Sequence, residues 1–234
     1  ISGAIFVCTI LLADLTSFYI LMALLCLVWL SVLGGFDDWL KLTGARRAIN
    51  RREGLYTWEK LLFQLGLAVI LGFFIHFQGR AADPELTKMA YSFNLPFMKS
   101  WIMDPVLGRW VPSPNLIELA PWVFVGLTII VVAGSSNAVN LTDGMDGLAS
   151  GIMTICGFAF MILALIAGDP EDSRRLLVPY TPFSSELAIV SGAIIGSCLG
   201  FLWYNCSPAQ VFMGDTGSLP LGGLIGYIAV VIRQ

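Results

Sequence analysis

Five aspartates stand in three short polar segments of an otherwise apolar chain, and their type and spacing could support chemistry. Asp37 and Asp38 are adjacent, Asp143 and Asp146 share a second segment, and Asp215 lies in a third. Two carboxylates at the end of a membrane helix repel each other and attract a cation or a proton. The first segment therefore indicates a cation site, and a solvated helix end is the alternative.

The second segment, residues 137–147, places Asn140 close to Asp143 and Asp146, with glycines at 144 and 147. If these residues are helical, the i, i+3 spacing puts both carboxylates on one side of the helix. The glycines would allow a ligand to approach the backbone closely. Helix N-capping is the alternative, but it explains only one of several polar residues.

The third segment, residues 205–218, is apolar but broken by Pro208. Asp215 is a candidate Mg²⁺ ligand, because this ion binds a few carboxylates together with waters and substrate phosphates. N-capping of the helix that follows is the alternative for Asp215. Phe212 is a candidate stacking partner for a base, although aromatic residues are common at membrane interfaces.

The elements that must position these segments are membrane helices. Of the 234 residues, 57% are hydrophobic and 12% are charged, whereas soluble domains carry roughly 25% charged residues. We predict an all-α polytopic membrane protein with about seven helices in this chain. They are expected at residues 1–13, 17–35, 57–77, 119–138, 148–167, 186–205 and from about 218 onward. Residues 78–117 hold five prolines and predict an irregular or β-hairpin loop outside the membrane.

Counting helices places the three aspartate segments on the same side of the membrane. The chain crosses twice between the first and second segments, and twice again between the second and third. The region 41–60 between two helices carries six Lys and Arg residues, and this density favours a cytoplasmic side. The same positive charge suits a polyanionic substrate, and attraction to anionic lipid is the alternative.

No internal repeat or separate soluble domain is evident. We interpret residues 1–234 as one transmembrane domain, truncated at both ends from a longer protein. The five cysteines lie in or beside apolar runs without metal-binding spacing, which is typical of buried apolar residues. Nothing in the sequence predicts a nucleic-acid partner.

Four motifs resemble the bacterial phospho-N-acetylmuramoyl-pentapeptide transferases, the MraY family. This family belongs to the polyprenyl-phosphate N-acetylhexosamine-1-phosphate transferase superfamily. The resemblance covers nearly the whole chain and is carried by Gly35-Phe-Asp-Asp-Trp-Leu-Lys41, Asn137-Ala-Val-Asn-Leu-Thr-Asp-Gly-Met-Asp-Gly-Leu-Ala149, Gly200-Phe-Leu-Trp-Tyr-Asn205 and Pro208-Ala-Gln-Val-Phe-Met-Gly-Asp-Thr-Gly-Ser-Leu219.

The resemblance implies a complete fold of ten transmembrane helices in the bacterial cytoplasmic (inner) membrane, with its site facing the cytoplasm. It implies transfer of phospho-MurNAc-pentapeptide from UDP-MurNAc-pentapeptide to undecaprenyl phosphate, giving lipid I and UMP, in the first membrane step of peptidoglycan synthesis. Mg²⁺ is the implied cofactor, membrane lipids are implied surroundings, and a homodimer is an open alternative to a monomer. Direct attack and a covalent aspartyl intermediate are both compatible with the sequence.

The resemblance also implies roles for individual residues. Asp37 and Asp38 would be the catalytic pair, with Asp37 activating the lipid phosphate, and Asp215 would bind Mg²⁺. Lys41 would face phosphate. The residues expected to shape the site are Asn140, Asp143 and Asn205, and those expected to hold the uridine are Gly144, Met145, Asp146 and Phe212.

Three features depart from the family pattern. The histidine-rich loop would lie beyond Gln234, and His76 is expected at the far end of its helix. The amino-terminal basic motif is missing. The stretch 44–54 lacks a second lysine expected from the resemblance, for which Arg46 and Arg51 are candidate substitutes.

Two other functions remain as alternatives. A sister enzyme of the superfamily would transfer GlcNAc-1-phosphate from UDP-GlcNAc to a polyprenyl phosphate. An ion-coupled transporter would bind cations at broken helices near the membrane midplane, whereas these aspartates are expected at helix ends.

Overall fold

The computed structural model describes residues 1–44, 54–80, 92–93, 98–105 and 108–233. Within them the chain is dominated by helices, which we number in chain order. Their bounds are α1 Ser2–Leu12, α2 Phe18–Gly44, α3 Thr57–Arg80, α4 Pro121–Thr142, α5 Leu148–Gly168, α6 Pro170–Leu176, α7 Leu187–Asn205 and α8 Asp215–Ile232, with a 3₁₀ turn at Ser184–Glu186.

Six segments in the described residues are long and apolar enough to cross a membrane, namely Phe18–Thr43, Thr57–Gln78, Pro121–Thr142, Leu148–Gly168, Ser184–Asn205 and Asp215–Ile232. The prediction of an all-α polytopic membrane protein is confirmed. Helix α1 is apolar but has only 11 residues, short of the roughly 20 that a span needs.

The proline-rich loop contains four short strands among its described residues: β1 Ser92–Phe93, β2 Trp101–Met103, β3 Trp110–Pro112 and β4 Ile117–Glu118. They form two antiparallel pairs, β1 with β4 and β2 with β3. The loop is therefore of the β-hairpin kind that the sequence predicts. The Trp101 indole donates to the Val178 carbonyl at 3.0 Å, which attaches the loop to the segment after α6.

Helix α8 is the centre of the molecule, and almost all of its residues are buried. It packs mainly against α2 and α4. At Gly222 a Cβ atom would overlap the Ser135 carbonyl of α4, so glycine is what lets the two backbones touch. Small residues at such crossings are how membrane helices gain close van der Waals contact, since lipid gives no hydrophobic drive for helices to associate.

Pro220 lies inside α8 and has no N–H to donate to the carbonyl of Thr216 one turn earlier. That carbonyl accepts a hydrogen bond from the Ser2 hydroxyl of α1 at 2.9 Å. A freed carbonyl at membrane depth is costly without a partner. Helix α1 therefore supplies the hydrogen bond that Pro220 removes from α8, close to the aspartate segments.

Two helix boundaries differ from the sequence-based expectation, and both affect the aspartates. Helix α2 does not end at Asp37 but continues to Gly44, because Lys41 one turn later pairs with the carboxylates and suits a helix C-terminus. Helix α4 ends at Thr142 with Asp143 as its C-cap. Asp143 and Asp146 are therefore not on one helix face, since a turn containing Gly144 separates them.

Candidate active site

The three aspartate segments meet at one end of the helices, as the counting of crossings predicts. Asp37 and Asp38 come from the last turns of α2, and Asp215 is the first residue of α8. One carboxylate oxygen from each of the three lies within 4.8 Å of the others. We call these three residues, together with Lys41 and Lys60, the reaction cluster.

A glycine allows this convergence. A Cβ at residue 34 would overlap the carbonyl of Asp215, whereas a Cβ at Gly35 would have its nearest neighbour, the Thr216 hydroxyl, at 3.7 Å. The backbone of α8 thus begins directly against α2, one turn before Asp38. The contact fixes the distance between carboxylates that are about 180 positions apart in sequence.

Asp38 binds the N-terminus of α8. Its carboxylate accepts hydrogen bonds from the Thr216 backbone N–H at 2.9 Å, the Thr216 hydroxyl at 2.6 Å and the Asp215 N–H at 3.3 Å. A helix N-terminus carries unpaired N–H groups and a partial positive charge, so it stabilises an anion. Asp215 is not the N-cap considered as the alternative in the sequence analysis; the cap position is Gly214.

Asp37 is fully buried and is held by donors on three sides. Its Oδ1 accepts from the Leu55 N–H at 2.6 Å. Its Oδ2 lies 2.7 Å from the ammonium nitrogens of both Lys41 and Lys60. A buried carboxylate is expensive unless it is compensated, and here the two ion pairs and the Leu55 N–H offset that cost.

Lys60 is the residue that the sequence analysis missed. Its ammonium lies 2.6 Å from Oδ2 of Asp215 and 2.7 Å from Oδ2 of Asp37, so it bridges α2 and α8 from α3. It lies six residues beyond Gly54, outside the stretch 44–54 in which the resemblance leads us to expect a second lysine. The overlooked signal is Gln64 one turn later, since polar residues four apart on a membrane helix mark its inward face.

The Asp215 carboxylate contacts side chains from three helices, α2, α3 and α4. Besides Lys60, its carboxylate lies 3.3 Å from the Lys41 ammonium and accepts a hydrogen bond from the Asn140 amide at 2.8 Å. The same amide donates to the Ser218 hydroxyl at 2.9 Å. Asn140 thereby joins α4 to the start of α8.

The donor set fits a divalent cation. The three carboxylates face two ammonium groups, which leaves one negative charge uncompensated within the reaction cluster. The Lys60 ammonium lies between the carboxylates of Asp37 and Asp215. A divalent cation near that position would balance the negative charge of both carboxylates. Carboxylate oxygens, with room for phosphate and water, are the ligands that Mg²⁺ prefers.

Asp143 extends this negative charge toward the neighbouring turn. Burial, and after it the nearby charges of Asp215 and Asp38, together raise the pKa of its carboxyl to about 6. A raised pKa of this kind is typical of functional sites where carboxylates are crowded together.

Two loops flank the reaction cluster, residues 143–147 and 206–214, and we call them the loop pair. Asn205 at the end of α7 joins them. Its side-chain oxygen accepts from the Gly147 N–H at 3.1 Å and the Ser150 hydroxyl at 3.1 Å, and its amide donates to the Val211 carbonyl at 2.9 Å. Asn205 is buried and links the two loops from beneath.

The predicted uridine-holding residues all lie in the loop pair. Met145 and Phe212 expose 70% and 74% of their surface, and Gly144 and Asp146 are also exposed. The Asp146 carboxylate accepts from the Ala209 N–H at 3.1 Å, which links one loop to the other. These side chains are free to contact a ligand that rests on the loop pair.

Two sequence-based expectations concern residues outside the reaction cluster. Arg46 and Arg51 lie outside the described residues. His76 is near the end of α3 opposite to Lys60, as expected. Arg175 of α6 pairs with Glu171 and Asp172 within that short helix.

Comparison with known proteins agrees with the resemblance. A family model described as glycosyl transferase family 4 matches residues 20–233. Similar curated proteins named phospho-N-acetylmuramoyl-pentapeptide-transferase come from Desulfotalea psychrophila, 40% identical over 97% of this chain and 56% of the relative, and from Nitratidesulfovibrio vulgaris, 41% identical over 95% and 54%. The one from Rickettsia bellii is 38% identical over 97% and 55%. The chain thus spans about half the length of these relatives.

Proposed function

Because the chain belongs to glycosyl transferase family 4, we propose that the complete protein transfers phospho-MurNAc-pentapeptide from UDP-MurNAc-pentapeptide to undecaprenyl phosphate. The products are lipid I and UMP. The observation that carries the proposal is the meeting of three carboxylates and two ammonium groups at the end of membrane helices. Such a cluster suits a reaction between two phosphates, one of them anchored in the membrane.

In this proposal the chemistry occurs at the reaction cluster. An oxygen of the lipid phosphate attacks the β-phosphorus of the UDP-sugar, and the bond from that phosphorus to the bridging oxygen breaks. The bridging oxygen leaves with UMP and keeps the electron pair. Lys41 and Lys60 bind the phosphate oxygens and neutralise the charge that spreads over them.

Asp37 is the proposed base for the acceptor phosphate, and its Oδ2 forms ion pairs with both lysines. Asp38 keeps the start of α8 in place. Asp215 is the proposed Mg²⁺ ligand, with the oxygens of Asp37 and Asp38 within reach. When bound, the ion would neutralise charge on the diphosphate and orient its oxygens. Asn140 orients the Asp215 carboxylate through a hydrogen bond.

The loop pair is the proposed seat of the nucleotide. Phe212 offers an aromatic face for the uracil ring, and Met145 offers an adaptable apolar surface beside it. Gly144 lets the backbone approach, and Asp146 supplies an acceptor for ligand hydroxyl or N–H groups. Asp143 stands between this surface and the reaction cluster, and Asn205 supports both loops.

The relatives favour this substrate over the alternatives. The curated proteins named above carry the muramoyl transferase name, which argues against a sister enzyme acting on UDP-GlcNAc. The carboxylates also lie at helix ends and not in mid-span, which argues against a cation transporter. We propose the bacterial cytoplasmic membrane as the location, with the reaction cluster on the cytoplasmic side beside the basic region 41–60.

The test is turnover by the full-length protein in detergent micelles with Mg²⁺. We expect UMP release that requires both UDP-MurNAc-pentapeptide and undecaprenyl phosphate, and that stops when the ion is chelated. UDP-GlcNAc in place of the muramoyl substrate is the matched control. Turnover of UDP-GlcNAc without turnover of the muramoyl substrate would overturn the proposal in favour of the sister activity.

A further inference from the structure

A buried polar network lies one helical turn below the reaction cluster and belongs to none of the roles above. Its central residue is Gln64 of α3, which is 1% exposed within a helix apolar enough to span a membrane. An amide at such a depth is costly unless it is hydrogen-bonded. Its partners therefore define what the residue does.

Gln64 ties three helices together. Its side-chain oxygen accepts from the Asn137 amide of α4 at 2.7 Å, and its amide donates to the Ser136 hydroxyl of α4 at 3.2 Å. A hydroxyl can accept and donate at once, and Ser136 in turn donates to the Leu219 carbonyl of α8 at 3.0 Å. The chain of contacts runs from α3 through α4 to α8.

Each helix in this network carries a site residue on its neighbouring turn. Gln64 is four residues after Lys60, and Leu219 is four residues after Asp215. On α4, Ser136 and Asn137 precede Asn140 by four and three residues. Residues three or four apart share one helix face. The network therefore repeats, one turn deeper, the same three-helix junction that Lys60, Asn140 and Asp215 form above it.

We propose that Gln64 is a positioning residue for the reaction. It fixes the rotation and axial register of α3 and α8 against α4, so that Lys60 and Asn140 meet the carboxylate of Asp215. The inference rests on the proposed function, since the contacts of Lys60 and Asn140 with Asp215 matter only if these residues take part in the reaction. Apolar packing alone fixes rotation weakly here, because these helices face apolar lipid on one side and apolar neighbours on the other.

The loop pair does not depend on this network. Its support is the separate junction at Asn205, which joins α7 to Gly147 and Ser150. A change at Gln64 should therefore alter the chemical step and leave nucleotide binding intact. A general loss of folding would also lower the apparent kcat at constant KM, but it would lower the melting temperature too, and kcat would recover once stability is restored.

The test uses the full-length enzyme carrying Gln64→Leu, which keeps the bulk and removes the hydrogen bonds. We expect kcat to fall roughly ten- to a hundredfold, because a shift of about 1 Å in reacting groups has that effect. The KM for UDP-MurNAc-pentapeptide should stay within about twofold of the wild type. Ser136→Ala, a smaller change that removes the link to α8 and the acceptor of the Gln64 amide but keeps the contact from Asn137 to Gln64, should give the same pattern in weaker form.

Two further variants separate positioning from stability. Thr128→Val removes a buried hydroxyl from the same α3–α4 interface two turns deeper, where Thr128 bonds its own helix at Phe124 and faces Gly72. It should retain wild-type kcat. In Gln64→Leu the Asn137 amide keeps only its bond to the Ala133 carbonyl of its own helix. The double variant Gln64→Leu/Asn137→Leu removes this partly satisfied amide, so its melting temperature should rise above that of Gln64→Leu while kcat stays low.

Recovery of kcat together with melting temperature in the double variant would overturn the proposal, and so would an unchanged kcat in Gln64→Leu. A fall in kcat for Thr128→Val equal to that for Gln64→Leu would overturn it as well. These outcomes are read against wild-type turnover. An inactive wild type would instead count against the proposed function.

Discussion

The reaction cluster and the loop pair lie at the same end of the helices but differ in construction. In the reaction cluster, Asp37 and Asp215 are buried and each contacts two lysines. In the loop pair, Met145 and Phe212 are largely exposed. The first has fixed charges on rigid helices, and the second has apolar side chains on short connections.

This difference shows how one site can combine a reaction, at the reaction cluster, with ligand recognition, at the loop pair. Buried charges act strongly because water does not screen them, but they work only at fixed distances. Exposed apolar side chains can adapt to a ligand but contribute through contact area alone. We therefore expect damage to the reaction cluster to appear in kcat, and damage to the loop pair to appear in KM. The following predictions test that division, from the largest effect to the smallest.

The largest effect is expected for Asp215→Asn, which keeps the shape of the side chain and removes its charge. We expect kcat to fall by about a hundredfold or more, because the contacts to Lys41, Lys60 and the cation all use that charge. Mg²⁺ should also lose its effect on the melting temperature. Asp172→Asn, in α6, is the control and should match the wild type in both measurements. Retained turnover in Asp215→Asn would show that the charge of Asp215 is not needed for the reaction.

The next effect concerns the contact between α2 and α8. Gly34→Ala should lower the stability by about 1–3 kcal/mol and reduce turnover, because the added Cβ overlaps the Asp215 carbonyl. Gly35→Ala is a matched control with the same chemical change on the adjacent residue and no close neighbour. Thermal unfolding and UMP release measured on both variants check the prediction. Equal behaviour of the two would show that the approach of α8 to α2 is not tight.

A smaller effect, confined to binding, is expected for Phe212→Ala. Loss of one base stack is worth about 1–3 kcal/mol, so KM for the UDP substrate should rise roughly tenfold while kcat changes little. Phe212→Tyr keeps the aromatic face and should preserve KM. Phe212→Leu distinguishes stacking from apolar contact. If stacking holds the base, its KM should be raised as in Phe212→Ala, and if apolar contact suffices, its KM should stay near that of the wild type. A fall in kcat with constant KM would contradict the division between the two regions.

The smallest effect concerns Asp143, at the border of the two regions. Its carboxyl binds a proton more tightly in the folded protein, where the pKa is about 6, than in the unfolded chain, where it is near 3.8. Ionisation therefore opposes folding, so the penalty is absent below pH 3.8 and grows as the pH rises through about 6. Without divalent ions, Asp143→Asn should raise the melting temperature at pH 8 and have no such effect near pH 4.

A gain that is the same at both pH values would mean that the charge of Asp143 is not the cause. Added Mg²⁺ gives a second check on the same variant. If the ion binds the reaction cluster, its charge offsets the repulsion on Asp143, and the advantage of Asp143→Asn at pH 8 should shrink.

The sequence by itself determined the apolar spans, the common side of the three aspartate segments and the residue types of the site. These follow from hydropathy and from counting crossings, both of which depend only on the order of residues along the chain. The motifs around Asp37, Asn140 and Asp215 also sufficed to indicate the family, because they are long and nearly contiguous.

Only the tertiary structure decided which side chains meet. It brought Lys60 into the reaction cluster, gave Asp38 the N-terminus of α8, and separated Asp146 from Asp143 by ending α4 at Thr142. The hydropathy of a membrane helix does not determine its rotation about its own axis, because its lipid-facing and protein-facing sides are both apolar. Close contacts such as Gly34 against Asp215, and buried polar links such as Gln64 to Asn137, fix that rotation.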